Sequence, residues 1–277
     1  MYNNNKILPK LLSVRDLIKI YGLKSKHQLS QNFLLDKNLT DKIIKYANIN
    51  NNNNSLAIEV GPGPGLLTRS ILETGVSNVI AIEKDSRFLP FLMQLVEASD
   101  NKLKILEDDI LNIDHDLILK TAKITDELIP VTNLYLIGNL PFNISTKLLV
   151  QWIKMISNKS GIFKIPHISM TLMFQKEVGN RIVADVKTKQ RGRLSVLVQS
   201  LCDAKLIYNL SSSVDASVIQ LNLLSNPVLN DDKQIFIENI IEELKLNLNL
   251  RAEELSTQEF CDLSKKFYEN SINIPDF

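Results

Sequence analysis

Four consecutive residues, Asn139-Leu140-Pro141-Phe142, could hold the exocyclic amino group of a nucleobase. The lone pair of such a nitrogen is conjugated with the ring, so it is a poor nucleophile until its two hydrogens are fixed. The Asn139 side-chain oxygen and the Leu140 carbonyl can accept those hydrogens, while a rigid proline turn and the Phe142 ring support the base. Positioning would then aim the nitrogen at an electrophilic methyl group without a general base. The alternative is an ordinary turn in which Asn139 caps the next helix.

A second stretch, Gly61-Pro62-Gly63-Pro64-Gly65, lies between an apolar run and a helical pattern and predicts a strand, a tight turn and a helix. A P-loop would need Lys and Ser or Thr where Leu66 and Leu67 stand. A dinucleotide loop would need backbone N–H groups aimed at a pyrophosphate, and the two prolines have none. The pattern therefore favours close approach to a neutral or cationic ligand, or a turn without any ligand. Glu-Val-Gly-x-Gly-x-Gly resembles motif I of S-adenosylmethionine-dependent methyltransferases.

Two acidic residues follow predicted strands further along the chain. Glu83 lies 22 residues after Gly61, close to the spacing at which an acid can accept hydrogen bonds from ribose hydroxyls. Asp109 follows the next strand, within reach of an adenine amino group. Each acid alone would be an ordinary solvated strand end. Because Gly61, Glu83, Asp109 and Asn139 follow successive strands, they favour one adenosine pocket together.

The elements that must position these residues alternate between strands and helices, which predicts an α/β fold with an open, mostly parallel sheet. Residues 114–130 are predicted to be a connecting segment, and Asp36 is predicted to cap the helix that begins at Lys37. Trp152 is predicted to lie in the core. Strands are predicted at 55–60, 78–83, 103–106, 133–138, 167–174, 194–201, 206–210 and 218–223, and helices at 37–47, 66–73, 86–98, 145–156, 175–184, 234–248 and 257–268.

Length and composition limit the class of protein. The chain has 277 residues, 44% of them hydrophobic, which is enough for one large domain and a small one. The histidines are scattered, and Cys202 and Cys261 are far apart, so no metal or disulfide is expected. No apolar run approaches the roughly 20 residues that span a bilayer. The first residues lack a secretory segment, so we expect a cytoplasmic protein that does not enter a membrane.

The net charge of +1 conceals an asymmetry along the chain. Residues 1–205 have 27 Lys and Arg against 19 Asp and Glu, whereas residues 206–277 have 5 against 12. A polyanionic partner is therefore expected on the first part. The densest basic stretch predicts an RNA contact, although a solvated loop would have the same composition; its basic residues are Lys187, Lys189, Arg191 and Arg193.

Five motifs together resemble the bacterial small-subunit (16S) ribosomal RNA adenine dimethyltransferases, in order and spacing, over about residues 25–220. They are Ser30-Gln31-Asn32-Phe33-Leu34, Glu59-Val60-Gly61-Pro62-Gly63, Gly138-Asn139-Leu140-Pro141-Phe142-Asn143-Ile144-Ser145-Thr146, Phe174-Gln175-Lys176-Glu177-Val178 and Gly192-Arg193-Leu194-Ser195-Val196. The related erythromycin-resistance methyltransferases of 23S rRNA share most of these motifs and are the alternative family. The segments Asn143-Ile144-Ser145-Thr146 and Gly192-Arg193-Leu194-Ser195 favour the small-subunit branch.

The resemblance implies a Rossmann-like methyltransferase fold and the transfer of two methyl groups from S-adenosylmethionine to each of two adjacent adenines near the RNA's 3′ end. It implies a monomer that acts on an immature 30S particle. The residues implied to contact the cofactor are Asn32, Leu34, Gly61, Glu83, Asp109 and Asn139. The catalytic residues are implied to be Asn139, Leu140, Pro141 and Phe142. The implied domains are an N-terminal extension (1–30), a methyltransferase domain (31–224) and a small helical domain (225–277).

Two departures from the family pattern bear on function. The family's Phe- and Pro-rich segment before the last strand, which supplies a second stacking aromatic, is replaced by residues 208–215, where Tyr208 is the available ring. The family's basic helix start is replaced by Asp231-Asp232 and further acids. These departures motivate a second hypothesis, an assembly factor that keeps the cofactor fold but methylates little. A nicotinamide-dependent enzyme on a similar sheet is a third.

Overall fold

The structure of the protein, a computed structural model, describes residues 36–225, except 52–53, 123–130, 132, 186 and 211–214, together with residues 8, 9, 16, 19 and 34. The predicted N-terminal extension, the predicted C-terminal helices at 234–248 and 257–268, and the Asp231-Asp232 segment lie outside the described residues, apart from those few positions. No helix within the described ranges is long and apolar enough to cross a membrane.

Strands and helices alternate through the described chain. The strands are β1 (Ser55–Val60), β2 (Asn78–Glu83), β3 (Leu103–Glu107), β4 (Asn133–Asn139), β5 (His167–Gln175), β6 (Cys202–Asn209) and β7 (Ala216–Leu223). The helices are α1 (Lys37–Ala47), α2 (Leu66–Glu73), α3 (Leu89–Ala98), α4 (His115–Thr121), α5 (Phe142–Ser157), α6 (Lys176–Ile182) and α7 (Arg193–Gln199), with 3₁₀ turns at Ser86–Phe88 and Gly161–Lys164.

The seven strands form one sheet in the order β3-β2-β1-β4-β5-β7-β6. Strands β1 to β5 run parallel to one another, and β7 is antiparallel to both β5 and β6. This confirms the predicted mostly parallel sheet. The chain moves outward from β1 in one direction through β2 and β3, and then in the other direction through β4 and β5. The order reverses between β1 and β4, where open parallel sheets bind ligands.

Alternate residues of the central strands pack into two separate cores, one on each face of the sheet. All six residues of β1 are buried. Ile58 packs on one face with Trp152 of α5, and Ala57 packs on the other with Ile71 of α2 and Leu92 of α3. Trp152 is fully buried, as predicted. Asp36 accepts a hydrogen bond from the Asn38 N–H and so caps α1, also as predicted.

Two predicted elements are wrong. Residues 194–201 were expected to form a strand, and residues 193–199 form α7 instead. The Ser195 hydroxyl accepts a hydrogen bond from the Gly192 N–H at 3.0 Å and donates one to the Arg181 carbonyl at 2.5 Å. These bonds hold the start of a helix, in spite of its β-branched residues. Residues 114–130 were expected to be a connection only, and part of that segment forms α4, which Asp114 caps.

Candidate active site

The ends of β1 and β4 lie side by side at the point where the strand order reverses. Val60 is the register partner of Gly138, so Gly61 and Asn139 follow at the same level of the sheet. A cavity of about 580 Å³ opens there, a size typical of small-molecule sites. It is lined by Leu34, Glu59, Gly61, Pro62, Gly63, Pro64, Leu66, Leu67, Glu83, Asn139, Leu140, Pro141, Phe142 and Asn143.

The glycine loop has no backbone N–H group left for a phosphate. Gly61 donates to the Ile82 carbonyl at 3.0 Å, and Gly65 donates to the Pro62 carbonyl at 2.9 Å. Gly63 donates to the Glu83 carboxylate at 2.9 Å. The two remaining residues of the loop are prolines, which have no N–H. The loop therefore suits a ligand that is not anionic at this point, which agrees with the preference inferred from the sequence.

Gly61 brings the loop backbone close to the end of β4. Its φ is +68°, in the left-handed region that side-chain-bearing residues rarely adopt. A Cβ added there would lie 4.0 Å from the Asn139 carbonyl oxygen. The loop and the Asn139 backbone thus form adjacent walls of the same cavity.

Glu83 is a buried carboxylate that holds the glycine loop through a hydrogen bond. Its Oε2 accepts the Gly63 N–H at 2.9 Å and its Oε1 accepts the Asp85 N–H at 2.8 Å. Burial raises the pKa of Glu83, and these two backbone hydrogen bonds oppose the rise. Each oxygen keeps a second lone pair that can accept a hydroxyl hydrogen. The position therefore fits the predicted contact with two ribose hydroxyls.

Glu59 is a site residue to which the sequence reasoning gave no role. It is fully buried in β1 and lines the cavity, and neither of its oxygens has a hydrogen-bond partner among the described residues. The Thr68 hydroxyl lies nearby but outside hydrogen-bonding geometry. Burial raises the pKa of Glu59 to about 8; the proximity of Thr68 opposes the rise, and the negative charge of Glu83 adds to it. The signal in the sequence is an acid within an otherwise uncharged, buried strand.

The segment from Asn139 to Phe142 connects β4 to α5 at the mouth of the cavity. Pro141 is the N-terminal cap of α5, and its carbonyl accepts the Ser145 N–H at 3.1 Å. Asn139 is therefore not the cap, which removes the alternative role considered for it. Leu140 is buried, whereas the Phe142 ring is 38% exposed. An exposed ring beside the cavity can stack on a base that enters from solvent.

The three other residues predicted to contact the cofactor differ in their position relative to the cavity. Leu34 lines the cavity, and Asn32 lies outside the described residues. Asp109 is not among the residues that line the cavity. Its carboxylate pairs with Lys84 at 2.8 Å and accepts the Leu111 N–H at 3.0 Å. These contacts, the Lys84 ammonium first, lower the pKa of Asp109. The carboxylate is thus ionised and held at the sheet edge beside Glu83, and its contact with adenine stays a prediction.

The predicted RNA-binding residues fall into two groups. Lys187 and Lys189 are exposed. Arg191 instead donates to the Ala184 carbonyl at 2.8 Å and to the Gln199 side chain at 2.6 Å, so it ties the loop to α7. Arg193 is half-buried at the start of α7. The two lysines are therefore the better candidates for phosphate contacts.

Tyr208, considered as a replacement for the missing stacking aromatic, lies elsewhere. Its ring faces the Lys42 ammonium, 3.7 Å from the ring centroid, between β6 and α1. It is not among the residues that line the cavity. In the described part of the chain, Phe142 is thus the aromatic at the cavity.

A larger cavity, of about 910 Å³, lies at the opposite edge of the sheet, around Asn133, His167 and Leu223. It contains none of the predicted site residues, and open parallel sheets bind ligands at their carboxyl ends. No group of three potential metal ligands occurs within the described residues.

The sequence model described as "Ribosomal RNA adenine dimethylase" matches residues 22–269. The chain belongs to this family. It is accordingly an S-adenosylmethionine-dependent rRNA adenine dimethylase, as the motifs implied. The cavity fits this cofactor, because the glycine loop offers no donors to an anion and a buried carboxyl without a partner lines the wall.

Curated relatives of the dimethylase bear related names. It is 39% identical to "Dimethyladenosine transferase 1, mitochondrial" of Xenopus tropicalis over 246 residues, which cover 86% of this chain and 70% of the relative. The proteins of the same name from Homo sapiens and Vermamoeba vermiformis are 38% and 33% identical, covering 86% and 95% of this chain and 70% and 96% of theirs.

These names contradict the expected cytoplasmic location, which is therefore wrong. The expectation rested on the lack of a secretory segment. That criterion does not separate the cytosol from the mitochondrion, because mitochondrial targeting segments are amphipathic and rich in Arg and Ser rather than apolar.

Solved structures support the fold. A dimethyladenosine transferase from Plasmodium falciparum superposes with a TM-score of 0.57 at 20% identity, covering 87% of this chain and 98% of that one. The 23S rRNA methyltransferase ErmE superposes with a TM-score of 0.56 at 20% identity, covering 75% and 78%. At this identity both show the shared methyltransferase fold alone.

Proposed function

We propose that this dimethylase transfers methyl groups to N6 of two adjacent adenines near the 3′ end of small-subunit rRNA within an assembling ribosomal particle. We place it in the mitochondrion, on the strength of the relatives' names. We propose that it acts as a monomer with the methyltransferase domain at 31–224 and a small domain at 225–277. The observation that carries the proposal is the cavity shared by Glu83, Gly61 and the Asn139–Phe142 turn.

Bound S-adenosylmethionine would supply an electrophilic methyl group on a sulfonium. Glu83 and the glycine loop would hold its nucleoside portion, and Leu34 would cover it. The Asn139 side-chain oxygen and the Leu140 carbonyl would accept the two amino hydrogens of the adenine, which localises the lone pair on N6. Phe142 would stack on the base after it leaves the RNA helix, and such stacking returns about 1–3 kcal/mol of the cost of flipping. Most of the rate would come from this positioning.

The test is methylation of immature small ribosomal subunits with labelled S-adenosylmethionine. The wild-type protein should form dimethyladenosine, and Asn139→Ala should reduce the rate about 100-fold or more, as when one oriented hydrogen-bonding group is removed from an active site. Asn158→Ala is the matched control, because Asn158 lies at the far end of α5 and is exposed. Equal incorporation of label by the wild-type protein and by Asn139→Ala would contradict the role assigned to Asn139.

The same assay separates the dimethylase from an assembly factor that methylates little. One structural observation favours the assembly factor: the Tyr208 ring contacts the Lys42 ammonium and does not line the cavity. It predicts that the protein binds S-adenosylmethionine and the particle without forming dimethyladenosine. Mass spectrometry of the rRNA after incubation decides between the two.

A further inference from the structure

Apart from the nearby Thr68 hydroxyl, Glu59 lies in surroundings that do not stabilise a negative charge. Its register partners are Ala81 on β2 and Ile137 on β4, both buried and apolar. Helix α2 covers it with Thr68, whose hydroxyl makes no hydrogen bond to it. A carboxyl group buried without hydrogen bonds is held in its neutral, protonated form.

The charged groups around Glu59 do not change this conclusion. From β2, the carboxylate of Glu83 adds negative charge to the same cavity. From α2, Arg69 has its charge interaction with Glu73 and not with Glu59. From β4, Asn139 lies two residues beyond the register partner of Glu59, and its amide side chain does not titrate. Burial and Glu83 thus act together and raise the pKa of Glu59 to about 8.

The ligands of this cavity differ in charge before and after the reaction. S-adenosylmethionine has a sulfonium, an ammonium and a carboxylate, and so one net positive charge. S-adenosylhomocysteine has lost the sulfonium and is neutral overall. A cation in a buried cavity needs a counter-charge, and a nearby cation favours the ionised form of a carboxyl group. Glu83 already accepts two backbone N–H groups, so Glu59 is the wall residue that can add further counter-charge by ionising.

We propose that Glu59 is a proton switch of the cofactor cavity, protonated when the cavity is empty or holds S-adenosylhomocysteine and ionised when it holds S-adenosylmethionine. This inference rests on the proposed function, because it takes S-adenosylmethionine as the ligand. On uptake of the donor, the O–H bond of the carboxyl group breaks, the electron pair stays on the oxygen and the proton leaves to solvent. After the sulfonium charge is lost, the carboxylate takes a proton back from solvent.

The switch gives the site a preference for the donor over the product. Each adenine takes two methyl groups, so the product must be exchanged for fresh donor between transfers. An ionised Glu59 attracts the donor, and a protonated Glu59 has no net charge with which to retain the neutral product.

Isothermal titration calorimetry in two buffers of different ionisation enthalpy, Pipes and Tris, measures the protons released on binding. At pH 7, wild-type protein should release about nine-tenths of a proton per S-adenosylmethionine, the fraction that a carboxyl group with a pKa of about 8 still holds. S-adenosylhomocysteine should release less than half as much. Sinefungin, which has a protonated amine in place of the sulfonium methyl, should behave like the donor.

Two Glu→Gln variants make the measurement specific. Glu59→Gln imitates the protonated carboxyl in size and polarity, so it should fold, lose the proton release and bind S-adenosylmethionine at least tenfold more weakly. Glu97→Gln removes an exposed carboxyl of α3 and should release protons as the wild type does. Unchanged proton release in Glu59→Gln would overturn the proposal, as would equal release by donor and product.

Wild-type protein alone provides an independent measurement if Glu59→Gln does not fold. Because binding releases a proton, affinity for S-adenosylmethionine should rise with pH, by up to tenfold per unit, and level off above about 8. Affinity for S-adenosylhomocysteine should change less. A flat donor profile from pH 6 to pH 9 would overturn the switch. Loss of RNA methylation with normal proton release would instead contradict the proposed function, so the two failures are distinguishable.

Discussion

Glu83 both holds the glycine loop and lines the cavity. It is only 7% exposed, and each oxygen already accepts one backbone N–H, from Gly63 and from Asp85. The bond to Gly63 fixes the position of the glycine loop, while each oxygen keeps a second lone pair and the residue lines the cavity. A change at Glu83 should therefore disturb both the loop and the ligand.

We predict that Glu83→Gln weakens binding of S-adenosylmethionine about 10- to 100-fold. An amide has one acceptor oxygen, so a backbone N–H loses its charged partner, and a hydrogen bond to a charged group contributes about 1.5–3 kcal/mol. Calorimetric titration measures the change. Glu107→Gln is the control, because Glu107 is the register partner of Glu83 and is exposed. An equal loss of affinity in both variants would mean that Glu83 has no special role.

For single residues, the sequence predicts the positions of those that directly follow strands. It does not predict the contacts of residues whose surroundings depend on side-chain packing. Gly61, Glu83 and Asn139 meet at one cavity because parallel strands end at the same edge. Arg191 is a residue type that often contacts RNA and lies in a basic stretch. Its guanidinium instead donates hydrogen bonds to the Ala184 carbonyl and to the Gln199 side chain. Glu59 stands in a motif that was recognised, but its burial without a partner is visible only in three dimensions.

Helix α2 begins at the glycine loop, and its N-terminal cap, Gly65, has a φ of +81°. A Cβ at Gly65 would lie 2.7 Å from Leu95 Cδ1 and 3.2 Å from Leu92 Cδ2, both on α3. A side chain at this position would therefore press on the ends of the Leu95 and Leu92 side chains, which must shift to admit it. Gly75, after the other end of α2, has a similar φ of +84° but has only Asn51 nearby, at 3.8 Å.

We predict that Gly65→Ala lowers the free energy of unfolding by about 1–3 kcal/mol more than Gly75→Ala does. Both variants force a non-glycine residue into the left-handed region, at a cost of about 1–2 kcal/mol each. Only the first adds a contact with α3, and overpacking of a core costs about 1–3 kcal/mol. Chemical denaturation of the two variants and the wild type measures the difference. Equal destabilisation would show that α3 yields to the added methyl group without cost.

Local sequence patterns are sufficient to predict the bounds of most strands in the sheet. The strands β1 to β5 are apolar runs that end in Gly or polar residues, and their predicted bounds agree with the structure to within a residue. Residues 194–198 are rich in β-branched residues, which favour a strand. The segment forms α7 instead, because the Ser195 hydroxyl accepts a hydrogen bond from the Gly192 N–H and donates one to the Arg181 carbonyl. The Arg181 contact crosses 14 residues, so a propensity for strand could not reveal it.

The distribution of charge over the whole chain favours an RNA partner for the first part. Residues 1–205 have an excess of basic residues, and residues 206–277 have an excess of acids. Lys187 and Lys189 are exposed within the basic part, between α6 and α7. Phosphate contacts by such lysines release counterions and make binding strongly dependent on salt.

We predict that the double variant Lys187→Ala/Lys189→Ala weakens binding of small-subunit rRNA and lowers the slope of log affinity against log salt by about 2, because each neutralised phosphate contributes nearly one to that slope. Affinity for S-adenosylmethionine should not change, since neither lysine lines the cavity. Filter binding at several salt concentrations measures the slope. Lys102→Ala/Lys164→Ala is the matched control, because these two exposed lysines precede β3 and β5 at the opposite edge of the sheet. If both pairs lower the slope equally, the RNA responds to the overall charge of the protein, and the segment between α6 and α7 is not a specific contact.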